Sequence, residues 1–315
     1  MFTIKQPSEI AYGRYSASKN NFPDNCLLIT SKGANERGWI DYIKLKNYFI
    51  FDQVENNPSM MTVDKILRKF GNEKISRVVG LGGGSVLDVA KYCGFKMNKK
   101  KILIPTTFGS GSEVTRISVL KVDNKKQSFH DDRLFADKAI IDSYFIENTP
   151  NKIFKNSFID ALAQCSEGYD SKLGNEYTKF CCEEAFRYLE NGIITENKES
   201  IVLGSFFSGI GFGNCSTTLG HALSYVFSNE GISHGHALAF TTTVSHKFNN
   251  SKFFDRFKNL IKKLSFEPIK LKMNLEDASE LILKDRKHLD NNPKLVTKED
   301  IIKLLDIINS EKTLE

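Results

Sequence analysis

Four of the six histidines in the chain lie within one short stretch, namely His221, His234, His236 and His246. Imidazole nitrogen is a common ligand for zinc, iron and copper, so this concentration of histidines indicates a metal site. The spacing differs from HExxH, in which both ligands lie one turn apart on a single helix. Gly231 is expected to end the helix that carries His221, so that His221 and His234 approach from successive elements. The alternative is a set of ordinary histidines whose ring nitrogens are satisfied in the core or at the surface.

A second segment, residues 158–169, carries polar side chains at helical spacing. Asp160, Gln164 and Glu167 recur at positions i, i+4 and i+7 among apolar residues, which places them on one face of a helix. A carboxylate that points into an apolar environment needs a partner, and a cation is a natural one. The two segments together therefore favour a metal held by separate helices.

A glycine-rich turn, residues 82–85, follows a predicted strand and opens a predicted helix. Glycines let the backbone approach a phosphate closely, and a helix N-terminus offers free N–H groups and a favourable dipole. The turn lacks the GKS/T ending of a P-loop and the GxGxxG pattern, so a plain tight turn remains an alternative. Asp88 follows at helical spacing, and a second loop, residues 105–115, is rich in hydroxyl groups and glycine. Two such loops at the carboxyl ends of adjacent strands are where an open α/β sheet binds nucleotides.

The elements that position these residues fall into two groups. The first half of the chain alternates short β-branched runs with helical patterns, which predicts a parallel sheet with helices on both faces. After Pro150 the apolar spacing becomes helical. We therefore expect a Rossmann-like α/β domain over residues 1–149 and an all-α domain over residues 150–315. The predicted strands are 26–30, 48–51, 77–81, 102–104, 117–122 and 138–141, and the last two are expected to pair as a hairpin around Asp123-Asn124. The predicted helices of the second half are 154–169, 177–189, 218–227, 236–248, 254–264 and 298–308.

The overall composition excludes several classes of protein. A chain of 315 residues exceeds the usual single-domain size, which favours two domains. The net charge of +6 is spread along the sequence without a basic tract interleaved with aromatic residues, so nucleic-acid binding is not expected. No 18-residue apolar run and no signal-peptide stretch are present, so no membrane segment is expected. The six cysteines form no CxxC pair, which is typical of free thiols in a reducing cytoplasm.

Four ordered motifs give the sequence a resemblance to a known family. They are GGGSVLDVAK at 82–91, PTTFGSGSEVT at 105–115, DALxxxxE at 160–167 and HALSY…HGHA at 221–237. Over nearly its whole length the chain resembles the iron-containing (group III) alcohol dehydrogenases. The resemblance implies a dinucleotide domain, a helical metal-binding domain and a cleft between them, as in the dehydroquinate synthase-like fold. Details such as GSEVTR at 111–116 are similar to the phosphonoacetaldehyde-reductase-like branch of the family.

The resemblance implies a divalent metal, Fe²⁺ or Zn²⁺. The family's metal ligands fall on four positions here, Asp160, Gln164, His221 and His234. Gln164 stands where the family has a third histidine, and Tyr225 stands where many members carry a histidine near the nicotinamide. Proton delivery has two candidate catalytic residues, His236 and Tyr225.

The resemblance also implies a nicotinamide cofactor, NADPH or NADH. An acidic residue at the end of the 26–30 strand would bind the ribose hydroxyls of NAD, but this position resembles Ser31, with Lys32 beside it, which favours NADPH. The expected reaction is hydride transfer between the nicotinamide and a small aldehyde such as phosphonoacetaldehyde, with the metal polarising the carbonyl oxygen. The candidate cofactor-binding residues are Ser31, Gly82, Gly83, Gly84, Ser85, Asp88, Thr106, Thr107 and Ser110.

The identity of the reaction has alternatives within and outside this class of enzyme. A glycerol-1-phosphate dehydrogenase or a dehydroquinate-synthase-like enzyme would share the glycine-rich turn and a metal bound by helices. A non-catalytic nucleotide-binding paralogue would account for Gln164 and for a chain that is short for the family. If the substrate carries a phosphonate, Arg116, Lys126 and His130 are candidate cations. We expect a cytoplasmic homodimer that acts on a small molecule, without a nucleic-acid or membrane partner.

Overall fold

The computed structural model describes residues 1–123 and 125–314, and the chain divides into two compact units. One unit comprises Thr3–Thr149, and the other comprises Met1–Phe2 with Pro150–Glu315. The first has the alternating strands and helices of an α/β domain, and the second is built from helices. The predicted fold class, an α/β domain and an all-α domain, is therefore confirmed. Among the described residues, no helix has the length and apolar character needed to span a membrane.

The sheet of the Thr3–Thr149 unit places the carboxyl ends of its strands along one edge. The strands are β1 (Glu9–Tyr12), β2 (Leu27–Ile29), β3 (Phe49–Phe51), β4 (Val78–Gly82), β5 (Lys101–Pro105), β6 (Ile117–Val122), β7 (Lys125–His130) and β8 (Lys138–Ile141). Six of them form a fully parallel sheet with the order β1-β8-β5-β4-β2-β3. The central strands β4 and β5 are buried along their whole length, as their apolar sequences require. Strand β2 lies between β3 and β4, and such a reversal of strand order is where open α/β sheets bind ligands.

The helices form the layers of the first unit and nearly all of the second. They are α1 (Gly33–Glu36), α2 (Trp39–Ile43), α3 (Met60–Phe70), α4 (Gly84–Lys96), α5 (Asn151–Asp170), α6 (Glu176–Ile194), α7 (Lys198–Cys215), α8 (Leu219–Asn229), α9 (His234–Asn249), α10 (Phe254–Leu264), α11 (Leu275–Leu283), α12 (Arg286–Asn291) and α13 (Lys298–Asn309). The predicted helices of the second half are all present, with ends that differ by a few residues.

The predicted hairpin had the wrong partner. Ile117–Val122 pairs antiparallel with Lys125–His130, and Lys138–Ile141 joins the main sheet between β1 and β5. The sequence of β7, KKQSFH, is polar and largely exposed, so it lacks the apolar alternation that identifies a strand. Asn124, in the predicted turn, lies outside the described residues.

Helix α7 is the longest element that the sequence did not predict. Its sequence is apolar on all sides and rich in glycine, which removes the periodic signal and lowers helix propensity. The glycines instead allow close packing against α6. A side chain at Gly204 would meet Leu189, and one at Gly211 would meet Cys182. Tertiary packing therefore stabilises a helix that local propensity disfavours.

Candidate functional site

The structure brings Asp160, His221 and His234 together from three different helices. Asp160 lies in α5, His221 lies in α8 and His234 is the first residue of α9. One potential ligand atom from each residue lies within 4.8 Å of the others. Asp160 Oδ1 is 3.9 Å from His221 Nε2 and 3.7 Å from His234 Nε2. These separations are too long for hydrogen bonds, but they suit atoms that share a cation about 2 Å from each.

A buried carboxylate fixes the orientation of His221. Glu167 Oε2 accepts a hydrogen bond from His221 Nδ1 at 2.7 Å and another from the backbone N–H of Thr218 at 3.0 Å. Burial opposes the charge of Glu167, but the interactions with His221, Thr218 and His246 together lower the pKa of the carboxyl. Because a carboxylate only accepts hydrogen bonds, the His221 proton lies on Nδ1 and Nε2 is left for a metal.

A hydroxyl group has the same role for His234. Ser224 Oγ donates its proton to the carbonyl oxygen of His221 at 2.8 Å and lies 3.4 Å from His234 Nδ1. Since the hydroxyl proton is already used, Ser224 accepts from Nδ1, and the other ring nitrogen of His234, Nε2, is the one that lies 3.7 Å from Asp160 Oδ1. Gly231 separates α8 from α9 with a φ of 91°, a conformation that glycine adopts readily. The predicted helix break at Gly231 is therefore confirmed.

Gln164 lies one helical turn after Asp160 and contacts the same carboxylate. Its Nε2 donates to Asp160 Oδ1 at 2.8 Å, while its buried Oε1 has no hydrogen-bond partner among the residues that the structure describes. Rotation of the amide exchanges the two atoms, so either one can face Asp160. A buried carbonyl oxygen without a partner, beside three potential ligands, fits a bound cation.

The two candidate proton donors lie in different surroundings. The ring of Tyr225 lies beside the cluster, 6.3 Å from the His234 ring between centroids. His236 Nε2 lies 2.6 Å from the carbonyl oxygen of Glu267, and its ring packs on Phe266. The structure thus brings Tyr225 to the cluster, whereas the His236 ring is engaged in a contact between α9 and a later loop.

One histidine that the sequence analysis did not select, His288, also lies at the cluster. Its ring centroid is 6.2 Å from that of His221 and 5.9 Å from that of Tyr225. His288 belongs to α12, far along the chain from the other histidines. The only feature of the sequence that could have indicated His288 is the spacing Asp285-x-x-His288. By itself this spacing is the same as at the start of an ordinary surface helix.

The glycine-rich turn and the second loop approach each other closely in the Thr3–Thr149 unit. A side chain at Gly83 would lie 2.9 Å from Thr107 Oγ1, and one at Gly84 would lie 2.8 Å from Ser110 Oγ. A β-carbon at either position would displace these hydroxyl groups, so glycine permits the close approach. The hydroxyl groups of the second loop therefore lie against the N-terminus of α4, where backbone N–H groups lack helical partners.

The candidate nucleotide-binding residues follow neighbouring strands of the sheet. Ser31 lies just beyond β2, Gly82 ends β4 and Thr106 follows β5, while Ser85 lies in the first turn of α4. The backbone N–H of Thr106 donates to the carbonyl oxygen of Gly82 at 3.0 Å, which joins the two loops. Because parallel strands end at the same edge of a sheet, these residues share one edge, as a nucleotide site requires.

Asp88 and Lys91, both in α4, hold the second loop (residues 105–115) in place. The Asp88 carboxylate accepts from Ser112 Oγ at 2.6 Å and from the Val119 N–H at 3.0 Å, and it lies 3.1 Å from Lys91 Nζ. Lys91 is fully buried and also donates to the carbonyl oxygens of Ser112, at 2.9 Å, and Ile117. Burial lowers the pKa of Lys91, and the charge of Asp88 opposes this shift. Through these contacts the Asp88 carboxylate positions the second loop.

Replacing Lys91 with methionine is expected to lower the free energy of unfolding by about 3–5 kcal/mol, because it leaves the largely enclosed charge of Asp88 without its cation. Urea-induced unfolding measures this change. Lys96→Met, at the exposed end of the same helix, is the matched control and is expected to have little effect. Equal stability of the two variants would show that Lys91 does not hold Asp88 and the loop.

Two sequence models of one protein family match the chain. The model described as iron-containing alcohol dehydrogenase matches residues 7–143. The model of the C-terminal part of the Fe-containing alcohol dehydrogenase family matches residues 155–284. Together the two models cover most of the chain.

One relative by sequence and two solved structures are also similar to this chain. A 4-hydroxybutyrate dehydrogenase of Clostridium kluyveri is 34% identical over 209 residues, a match that covers 57% of this chain. The chain spans 56% of the length of that relative. An iron-containing alcohol dehydrogenase from Thermotoga maritima has a TM-score of 0.87 at 24% identity, with 98% of this chain and 100% of that chain covered. A sulfoacetaldehyde reductase from Bifidobacterium kashiwanohense, in complex with NAD⁺, has a TM-score of 0.87 at 23% identity, with 98% and 99% covered. At these identities the structural likeness shows the fold.

Proposed function

The chain belongs to the iron-containing alcohol dehydrogenase family, a family of oxidoreductases, and from this premise we propose that it is a metal-dependent aldehyde reductase that uses NADPH or NADH. The observation that carries the proposal is the cluster of Asp160, His221 and His234. In both histidines the Nδ1 atom contacts a neighbouring oxygen, and the Nε2 atom is the one that lies within 4 Å of the same aspartate oxygen. A carboxylate and two imidazoles are a donor set typical of catalytic zinc and iron sites, and this chemistry supports the proposal.

Asp160, His221 and His234 would hold the divalent cation, Fe²⁺ or Zn²⁺, and Gln164 would contribute its amide oxygen. The unpartnered Oε1 of Gln164 supports this fourth role. When bound, such a cation acts as a Lewis acid that polarises a carbonyl oxygen and stabilises negative charge on it. The chain's own contribution is to hold both imidazoles in the tautomer that presents Nε2, through Glu167 and Ser224.

The nucleotide would bind at the edge of the parallel sheet. The N-terminus of α4, with Gly82, Gly83, Gly84 and Ser85, would seat the pyrophosphate through backbone N–H groups. Thr106 and Thr107 would face the adenosine side, and Ser110 would contact the phosphate or the nicotinamide ribose. Asp88 would act indirectly, because its carboxylate positions the loop that carries Ser112. The uncharged Ser31, with Lys32 beside it, favours NADPH over NADH.

The substrate would be a small aldehyde, with phosphonoacetaldehyde as one candidate. Sulfoacetaldehyde reductase, a structural neighbour, is named for a small aldehyde that bears an anionic group. Of the candidate cations for such a group, Arg116 forms an ion pair with Asp132 at 2.8 Å, and Lys126 and His130 lie on the hairpin strand β7.

For proton delivery, Tyr225 is the better candidate than His236, because Nε2 of His236 contacts a carbonyl oxygen. The homodimer and the cytoplasmic location rest on the family resemblance.

Purification without chelators, followed by mass spectrometric metal analysis and an NADPH oxidation assay, tests this function. We expect about one equivalent of iron or zinc per chain, with turnover of short aldehydes that depends on the metal. Parallel assays with NADH measure cofactor preference. A protein that binds nucleotide but no metal after reconstitution, and that reduces no aldehyde, would contradict the proposal and favour a non-catalytic paralogue.

A further inference from the structure

A cavity of about 410 Å³ lies at the edge of the main sheet where its strands begin. Strands β1, β8 and β5 contribute Glu9, Lys138 and Ile102 to its lining, Arg77 directly precedes β4, and residues 20–23 complete the wall. Because the strands are parallel, the glycine-rich turn lies at the opposite edge, and the five residues of β4 separate the two edges by roughly 15 Å. The cavity is therefore separate from the candidate nucleotide site, and its volume suits a small metabolite.

The guanidinium of Arg77 gives this cavity a positive charge that no carboxylate of the chain pairs with. The side chain is half-buried, and within residues 1–123 and 125–314 it forms no hydrogen bond or ion pair. Two acids on neighbouring segments have other partners. Asp24 accepts from the side-chain amide of Asn47 at 3.3 Å, and Asp137 accepts from the backbone N–H of Lys101 at 2.8 Å. Since the planar fork of arginine matches an oxyanion, Arg77 indicates a ligand with a carboxylate or phosphate group.

The charge balance of the cavity distinguishes between these two groups. Lys138 Nζ lies 2.7 Å from Glu9 Oε1, so these two charges neutralise each other. Arg77 is the remaining charged residue of the lining, which leaves one positive charge. A monoanion balances this charge, whereas a phosphate dianion would add an excess negative charge near the Glu9 carboxylate. The balance therefore favours a carboxylate.

The uncharged part of the lining suits an organic acid. The side-chain nitrogen of Asn20 is enclosed and has no acceptor among the residues that the structure describes. Buried amide donors are normally satisfied, and a carboxylate that accepts from Arg77 has further lone pairs for this donor. The lining also includes Phe22, Pro23 and Ile102. Their apolar surfaces fit the carbon skeleton of an organic acid better than a bare inorganic ion.

Residues 20–23, which close the cavity, are fixed on both sides. Before them, the backbone N–H of Ala17 donates to the carboxylate of Asp142 at 3.0 Å. After them, the thiol of Cys26 donates to the carbonyl oxygen of Pro23 at 2.9 Å. Burial raises the pKa of the Cys26 thiol, so the thiol keeps its proton for this contact. A wall that is already fixed loses little conformational entropy when a ligand binds.

We propose that this cavity binds a small organic carboxylate, which accepts hydrogen bonds from Arg77 and packs its apolar part on Phe22 and Pro23. The site contains none of the candidate metal or nucleotide ligands, so the proposal does not depend on the alcohol dehydrogenase function. The acid and NADPH are expected to bind independently, because their sites lie at opposite edges of the sheet.

Calorimetric titration of the metal-loaded, NADPH-saturated protein with benzoate tests the proposal. Wild type is expected to bind about one equivalent with a Kd below about 1 mM. Benzamide has the same shape without the charge, and phenyl phosphate replaces the monoanion with a dianion. Both are expected to bind at least about tenfold more weakly than benzoate.

Variants of the cavity locate the binding site. Arg77→Gln is expected to raise the Kd for benzoate at least about tenfold, and Arg77→Lys, which keeps the charge without the fork, is expected to give a smaller increase. Arg68→Gln, on the exposed face of α3, is the matched control and is expected to leave the Kd unchanged. His234→Ala is expected to bind benzoate as wild type does, which distinguishes this site from the metal-ligand cluster.

Several results would overturn the proposal. They are a wild type that does not bind benzoate, equal affinity for benzamide, tighter binding of phenyl phosphate, competition with NADPH, and an unchanged Kd in Arg77→Gln. Circular dichroism verifies the fold of each variant. If Arg77→Gln does not fold, Lys138→Gln replaces it and is expected to weaken binding by about threefold, since it lowers the net charge of the lining to zero. An unchanged Kd in Lys138→Gln would then contradict the proposal. Because these titrations measure binding and not turnover, a chain that reduces no aldehyde but binds benzoate through Arg77 refutes the proposed function alone.

Discussion

Replacing His234 with alanine is expected to remove the bound metal and to reduce aldehyde turnover by more than about 100-fold, since residues that merely orient a ligand already contribute 10- to 100-fold. The His234 side chain is 34% exposed and begins a helix, so its truncation leaves little empty volume in the core. The variant is therefore expected to keep its fold while losing its metal. Metal content per chain, NADPH oxidation and circular dichroism together measure these three properties.

His236→Ala is the matched control for this prediction. It removes an imidazole from the same turn of α9, and that imidazole bonds the carbonyl oxygen of Glu267. Metal content and turnover close to wild type are expected. Gln164→His provides the opposite change, because it adds an imidazole one turn after Asp160, and tighter metal binding is expected. A His234→Ala enzyme that retains one equivalent of metal and normal turnover would falsify the assignment of His234 as a ligand.

Replacing Glu167 is expected to weaken metal binding without removing any ligand. Glu167→Leu leaves the Nδ1–H of His221 and the backbone N–H of Thr218 without their acceptor, and the imidazole loses its fixed orientation. We expect metal affinity to fall by about 100-fold for leucine and by about tenfold for glutamine, whose amide oxygen can still accept. Competition with a chromophoric chelator measures the affinity independently of turnover.

Asp170→Asn is the control for Glu167, because Asp170 lies three residues later on α5 and does not contact His221. Its metal affinity is expected to match wild type. Gly220→Ala is expected to disturb the contact between Glu167 and His221 by displacing the carboxylate, since a β-carbon at residue 220 would overlap Glu167 Oε1. Wild-type affinity in both Glu167→Leu and Gly220→Ala would mean that the orientation of His221 does not depend on this carboxylate.

The sequence predicted those features that depend on local periodicity. The spacing of Asp160, Gln164 and Glu167 placed them on one helix face, and in α5 Gln164 and Glu167 are buried while Asp160 is half-buried. The glycine at 231 correctly separated the helices of His221 and His234. The choice among possible metal ligands came from the family resemblance, because periodicity gives a face of a helix and not the chemistry that the face performs.

The features that the sequence did not reveal depend on contacts between distant residues. His288 meets His221 across 67 positions of chain (288 − 221), and no local pattern encodes that encounter. Helix α7 is stabilised by glycine contacts with α6, which outweigh its poor local propensity. Strand β7 has a polar sequence, so it is recognised as a strand by its pairing with β6 and not by its composition. The roles of Glu167 and Ser224 likewise appeared only once their distances to ring nitrogens were known.

The division of the chain at Pro150 has a consequence for how such a protein can diversify. Every candidate metal ligand follows that residue, and every candidate nucleotide-binding residue precedes it. Under the proposed function, a substitution at Ser31 would change the preference between two dinucleotides and leave the set of metal-ligand residues as it is, and one at Gln164 would do the reverse. Selection would then act on the two traits separately, and recombination near this boundary would exchange one of them as a unit.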